Sequence, residues 1–260
     1  MRNEPSFDVV IPVGPNDING LEEQIACTKK NIYGYRNIYL ICSVPSVTVE
    51  GCTTIDENIF PFNKKTVEHF HGKHRQNGWY LQQLLKLYAG EVITGILNRY
   101  LVIDSDTYFL KPTTFIQQGV CMYNYGREYV KEYFLHMERL HPGLKKQHPD
   151  KSGICHHMMF ETKYIYKLFN MVEARHKDVF YNVFLKQVNK PKSSGASEYE
   201  IYFNYMLKFH PGAIFLRKLD YVDCWLPNDH VTYISKHRWL EKWIPRRLEK
   251  LKLLKSRHKS

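Results

Sequence analysis

Apolar and polar positions divide this chain into short β-rich runs separated by stretches of helical spacing. Phe7–Val13 (FDVVIPV) is a largely apolar run closed by Gly14-Pro15-Asn16-Asp17, which reads as a buried strand and a turn. Helical spacing follows over Ile18–Ile32, and Asn37–Ser43 (NIYLICS) is a second strand. Strand, helix, strand in that order predicts a mostly parallel sheet with helices on its faces. Cys52–Asp56 reads as a short third strand and Lys64–Phe70 as a short helix. Asn77 or Gly78 then opens a longer helix that Gly90 is expected to stop.

The chain is organised around RYLVIDSDTYFL, residues 99–110. Tyr100–Ile103 is a short apolar run rich in β-branched and aromatic residues, and it ends in Asp104 and Asp106. Residues i and i+2 share one face of a strand, so the two carboxylates converge at its open end. They repel unless a positive group lies between them, and a hard divalent cation with oxygen ligands is the usual solution. In parallel sheets ligands bind at the carboxyl ends of the strands, where both VVIPVG and LVIDSD finish.

Beyond the aspartates, Gly119–Tyr123 predicts a strand, Arg127–Leu140 a helix and His141–Ser152 a turn-rich loop suited to covering a site. Gly153–Phe160 (GICHHMMF) reads as a strand whose alternation sends His156 and His157 to opposite faces, so that one imidazole points into the site. Thr162–Asn189 is helical in two pieces, Ser197–Phe209 is another helix, and 213–216 and 219–225 are short strands. No boundary interrupts residues 1–235, which are read as one domain.

Lys73, His74 and Arg75 precede the helix at Asn77, where cations and helix amides together can hold an anion. Within that helix Gln82, Gln83 and Lys86 interrupt the apolar pattern, so at least one of them should face the site. The turn after the first strand lacks G-x-G-x-x-G, and no P-loop sequence occurs.

Charge changes the picture only once it is located. The formal net charge is +11, but residues 236–260 hold ten Lys or Arg against two Glu and supply eight of those charges. The body is therefore only mildly basic. Leu240, Trp243, Ile244, Leu248, Leu251 and Leu254 recur at helical spacing in this tail with basic residues between them. That composition predicts an amphipathic segment lying on an anionic membrane surface from the cytosolic side. No run of 18 apolar residues exists. Six cysteines without a C-x-x-C pair argue for reduced thiols in the cytoplasm and against a zinc site.

The segments VVIPVG, RQNGWYLQQLLKL, LVIDSD, GICHHMMF and SEYEIYFNYML, in this order, resemble the GT-A-fold nucleotide-diphospho-sugar glycosyltransferases. More narrowly, they are similar to bacterial and viral GT-A-like proteins linked to surface polysaccharides. The resemblance spans roughly residues 7–225. It implies a Rossmann-like mixed, mostly parallel sheet, a UDP- or GDP-linked sugar donor, and a glycan or lipid-linked saccharide acceptor. The implied enzyme is a hexosyl- or deoxyhexosyltransferase using Mn²⁺ or Mg²⁺. Asp106 would carry the metal, with Asp104 nearer the ribose or sugar. Pro12 and Val13 would lie by the base, and Lys73 or Arg75 by the phosphates. A later histidine, His157 or His210, would be the third metal ligand.

The resemblance also maps an acceptor-side carboxylate to Ser197-Glu198-Tyr199-Glu200. Ser197-x-x-Glu200 is a capping box, which occupies Glu200. Glu198, without such a local partner, is therefore the expected general base, and Asp223 is the reserve. Two other classes compete with this reading. A haloacid-dehalogenase-like phosphatase would use Asp104 as nucleophile, but its motif normally sits on the first strand. A nucleic-acid-binding module would place its positive charge in a groove interleaved with aromatics rather than in one tail, so no nucleic-acid partner is expected.

Overall fold

The computed structural model describes residues 7–224 and 230–237; the remainder of the basic tail lies outside the described residues. In chain order, β1 (Phe7–Val13), α1 (Leu21–Asn31), β2 (Ile32–Tyr33), β3 (Tyr35–Cys42) and β4 (Thr53–Asp56) come first. They are followed by α2 (Lys64–His71) and α3 (Asn77–Val92). The aspartate-bearing strand is β5 (Arg99–Ile103), after which β6 (Thr107–Phe109), β7 (Thr113–Thr114), β8 (Ile116–Gln117) and β9 (Val120–Asn124) lead to α4 (Lys131–Leu140). Then come β10 (His157–Glu161), α5 (Thr162–His176), α6 (Phe180–Lys186) and α7 (Glu198–Phe209). The short strands β11 (Ile214–Arg217), β12 (Tyr221–Asp223) and β13 (Tyr233–Ser235) complete the described chain.

The central sheet has the order β10-β5-β1-β3-β4. Its neighbours run parallel except β10, which is antiparallel to β5. The chain steps from β1 to β3 and β4 on one side, then returns to place β5 on the other. This reversal opens a crevice at the carboxyl ends of β1 and β5, where loops diverge and a ligand can enter.

Every residue of β1 is buried, as expected of a strand covered on both faces. Its one charged residue, Asp8, is fully satisfied. Arg36 donates to both its oxygens at 3.1 and 2.7 Å, and the amides of Asn37 and Leu97 donate at 3.0 and 2.8 Å. A buried carboxylate is tolerated only with partners of this kind. One continuous apolar core joins the sheet to α3, α5, α6 and α7.

Three sequence expectations change. The helix opened at Asn77 does not stop at Gly90 but runs to Val92. Gly90 serves close packing instead, because a Cβ there would collide with the side chains of Thr162 and Tyr100. The strand expected over Gly153–Phe160 begins only at His157, because His156 has φ +60° and leaves the extended conformation. The expected cover loop is tied down: Ser152 and Gly126 exchange backbone hydrogen bonds, and Asn204 accepts from the Gln147 amide.

His136 gives the fold a pH dependence. It is fully buried, and the Phe184 carbonyl accepts from its Nε2 at 2.9 Å. Burial pushes its imidazole down to about 3. The unfolded chain binds more protons between that value and the ordinary histidine range near 6.5. Its contribution is therefore complete above pH 6.5 and is lost as pH falls toward 3, by up to about 1.4 kcal/mol per pH unit. Urea unfolding from pH 7 to 4 should show a steeper loss in the wild type than in His136→Gln, whose stability is lower at pH 7 but flatter in this window.

Candidate functional site

The turn Asp104-Ser105-Asp106 joins β5 to β6 at the crevice. The Asp104 amide donates to the His156 carbonyl at 2.9 Å, and the Thr107 amide donates back to Asp104 at 3.0 Å, which fixes the two carboxylates in place. Ser105 Oγ donates to Asp17 Oδ2 at 3.0 Å, tying this turn to the loop after β1.

The two aspartates have different partners. Asp104 Oδ1 accepts from Lys86 Nζ at 2.5 Å and from the Tyr199 hydroxyl at 2.8 Å. Lys86 Nζ also donates to Glu198 Oε1 at 2.6 Å and lies 4.4 Å from the centre of the Tyr199 ring. The side chains of Lys86 and Glu198 are each only 4% exposed. Burial alone would neutralise Lys86, but the two carboxylates outweigh it and hold the ammonium above its ordinary range. Burial likewise works against the charged form of Asp104, and Lys86 with His156 more than reverses it. Glu198 is raised, because burial and the Asp104 charge exceed what Lys86 returns.

Asp106 faces a second group. His237 Nδ1 lies 2.9 Å from Asp106 Oδ2, and Ser235 Oγ donates to Asp106 Oδ1 at 3.3 Å. Asp223 Oδ1 is 3.6 Å from both His237 Nε2 and His156 Nε2, and His156 Nδ1 is 3.6 Å from Asp104 Oδ2. Burial would push His237 down, but its hydrogen bond with Asp106 raises it above the ordinary range.

His156, Asp223 and His237 each offer a ligand atom, all within 4.8 Å of one another. His156 Nε2 is buried and makes no hydrogen bond among the described residues. An orphaned imidazole nitrogen, the Asp223 carboxylate and a second imidazole at that spacing can hold a divalent cation, with Asp106 next to the group through His237. A donor set mixing oxygen with imidazole suits a transition-metal dication better than Mg²⁺, which prefers oxygen and water.

Two cavities with shared wall residues lie here. One, of about 280 Å³, is lined by Lys86, Asp104, Asp106, Glu198, His156 and His237, with Trp79 and Tyr133 at its wall. The other, of about 590 Å³, runs along the ends of β1 and β3 past Pro12, Val13, Lys64, His74 and Arg75. Asp17, Trp79 and Gln82 border both.

Of the sequence candidates, Lys86, Asp104, Asp106 and Glu198 line the smaller cavity, Pro12, Val13 and Arg75 the longer one, and Gln82 borders both. Lys73 lines neither and is exposed. Gln83 is buried, its Oε1 accepting from the Glu198 amide at 3.1 Å to set the start of α7. His157 is a correction: its ring packs among Phe109, Phe115 and Tyr233, and burial drives its imidazole down to about 3. The positive φ of His156 is what turns the other imidazole to the carboxylates. His210 caps the far end of α7 against Tyr164 and Tyr205.

The capping argument also needs correction. Ser197 Oγ does accept from the Glu200 amide at 3.3 Å, but the Glu200 carboxylate accepts from Ser152 and Asn204 instead of returning to Ser197. Glu198 has a partner after all, in Lys86. Tyr199, Asp17 and His237 were missed. His237 follows VTYIS, a short β-branched and aromatic run; β13 pairs antiparallel with β6 and so delivers it beside Asp106.

The fold and site together define a class: a mixed, mostly parallel α/β protein with a carboxylate and histidine cluster at its strand-switch crevice. Residues 40–245 match the model of a family described as "Family of unknown function (DUF6492)", and the chain belongs to that family. No curated protein matches it by sequence. Mouse xyloside xylosyltransferase 1, in its apo form, is similar in structure with a TM-score of 0.45 and 10% identity, covering 89% of this chain and 98% of the other. The apo WbbM bifunctional glycosyltransferase gives 0.47 and 12%, covering 89% of this chain but 46% of its own. The galactosyltransferase LgtC, with donor and acceptor sugar analogues, gives 0.49 and 13%, covering 94% of each. Among the described residues no helix is long and apolar enough to cross a membrane.

Lys86 neutralises the buried Glu198 and the part-buried Asp104 at once, so its removal leaves like charges facing each other. Lys86→Met should cost about 3–5 kcal/mol in urea unfolding. Lys86→Met with Glu198→Gln should recover part of that loss. Equal stability of wild type and Lys86→Met would show that the cluster is not a buried ion pair.

Proposed function

We propose that this protein is a metal-dependent glycosyltransferase that moves a sugar from a nucleotide-diphosphate donor to a hydroxyl of a glycan or lipid-linked acceptor. The observation that carries this reading is the cluster of His156, Asp223 and His237 beside Asp106, next to a small cavity that shares Asp17, Trp79 and Gln82 with the longer one along β1. A sugar nucleotide fits that layout, with its base toward Pro12 and Val13 and its diphosphate toward the cation site. Arg75, at the N-terminal side of α3, adds positive charge along the way.

Asp106, Asp223, His156 and His237 would hold the metal. When bound, it supplies positive charge for the departing diphosphate. The chain's own residues do the rest. Lys86, fixed between Asp104 and Glu198, presents polar groups to the transferred sugar. Glu198, raised by burial, is suited to take the acceptor's proton, and Asp223 is the second carboxylate placed to do so. Trp79 and Tyr133 narrow the cavity around the reacting groups and limit water. The basic amphipathic residues 236–260 would hold the enzyme at an anionic cytosolic membrane surface, close to lipid-linked acceptors.

A thermal-shift panel of sugar nucleotides with and without Mn²⁺ tests the reading, because a ligand binding only the native state raises its stability. Asp106→Asn should abolish the Mn²⁺-dependent shift and reduce turnover by orders of magnitude. Glu198→Gln should keep donor binding and lose transfer. Full turnover by Asp106→Asn in chelator, or no stabilisation by any sugar nucleotide, would contradict the assignment.

A further inference from the structure

The longer cavity carries one more piece of chemistry. With Ile41 and Ser43, at the end of β3, Glu57 and Lys64 also line its wall. The neighbouring Asp56 is occupied: its Oδ1 accepts from the Asn58 amide at 2.9 Å and from the Asn58 side chain at 2.8 Å. Glu57 is not so used. It is half-buried, and its carboxylate accepts no hydrogen bond among the described residues. Burial first, and then the Asp56 charge, raise it above the ordinary carboxylate range. Lys64, at the first position of α2, likewise has no ion pair among the described residues. The two opposite charges line one cavity without closing on each other.

This arrangement asks for a ligand edge with donors on one side and an acceptor on the other. Guanine has that edge: N1–H and the 2-amino group are adjacent donors that match a carboxylate, and O6 is an acceptor for a lysine. Uracil offers one N–H between two carbonyl oxygens, so a carboxylate facing it would meet at least one acceptor. Adenine presents no N–H at N1. Building on the glycosyltransferase reading, we propose that Glu57 and Lys64 select a guanine base, and that the donor is a GDP-linked sugar.

The test is calorimetric binding of GDP, IDP, UDP and ADP, each with Mn²⁺, to the full chain, to Glu57→Gln and to Lys64→Met. IDP keeps O6 and N1–H but lacks the 2-amino group. The wild type should bind GDP roughly tenfold more tightly than IDP and more tightly still than UDP or ADP. Glu57→Gln should bring GDP and IDP to within about twofold of each other. Lys64→Met should weaken both purines that carry O6 while sparing UDP. Thermal unfolding of both variants should match the wild type, since neither side chain is part of a buried network.

Other results overturn the proposal in distinguishable ways. Equal binding of all four nucleotides, with Glu57→Gln weakening them equally, would place Glu57 on the ribose hydroxyls and leave the transferase reading standing. A preference for UDP would also reject guanine alone. If no nucleoside diphosphate binds with Mn²⁺, the reading of the whole site fails with it.

Discussion

One buried lysine sets the geometry of this cleft. Lys86 sits in the middle of α3, its ammonium held by Asp104 from the end of β5 and Glu198 from the start of α7. A charge taken out of water is tolerated only when paired, and here one cation serves two anions. The shared contact locks three elements that are far apart in sequence into one corner. It also leaves that corner net negative, so Asp106 and Asp223 lie in a field that attracts a further cation. Lys86 thus separates the two aspartates of the motif into different tasks, one holding the scaffold and one left facing the cavity.

The histidines depend on backbone rather than on charge. His156 adopts a left-handed conformation, which costs an ordinary residue about 1 kcal/mol or more. The return is direction, since the next residue starts β10 and its side chain enters the core. His237 arrives by pairing of β13 with β6, the strand that begins directly after Asp106. Short, late strands with little core of their own therefore finish the site that the central sheet begins.

Much of this was legible in the sequence. The apolar runs at Phe7–Val13 and Tyr100–Ile103, and the aspartates closing the second, placed both halves of the crevice. Lys86 and Gln82 were visible as polar breaks in an apolar helix. What failed was local inference about residues whose partners are distant. Period-two alternation could not foresee that His156 would leave the extended conformation. A capping rule could not show that Glu200 would turn to Ser152 or that Glu198 would meet Lys86. Gly90 looked like a helix stop because its close contacts, Thr162 and Tyr100, lie on other elements. His237 was hidden by being counted with a basic tail that begins at nearly the same residue.

The central claim is that a divalent cation sits among Asp106, Asp223, His156 and His237 when nucleotide binds. Pulsed EPR of Mn²⁺ with a nucleoside diphosphate, on protein carrying ¹⁵N-histidine, measures this directly. The account predicts electron–nuclear coupling from histidine nitrogen that diminishes in His237→Gln and again in His156→Gln. Mn²⁺ bound with no histidine coupling, or remaining as the free aquo ion at millimolar nucleotide, would contradict it.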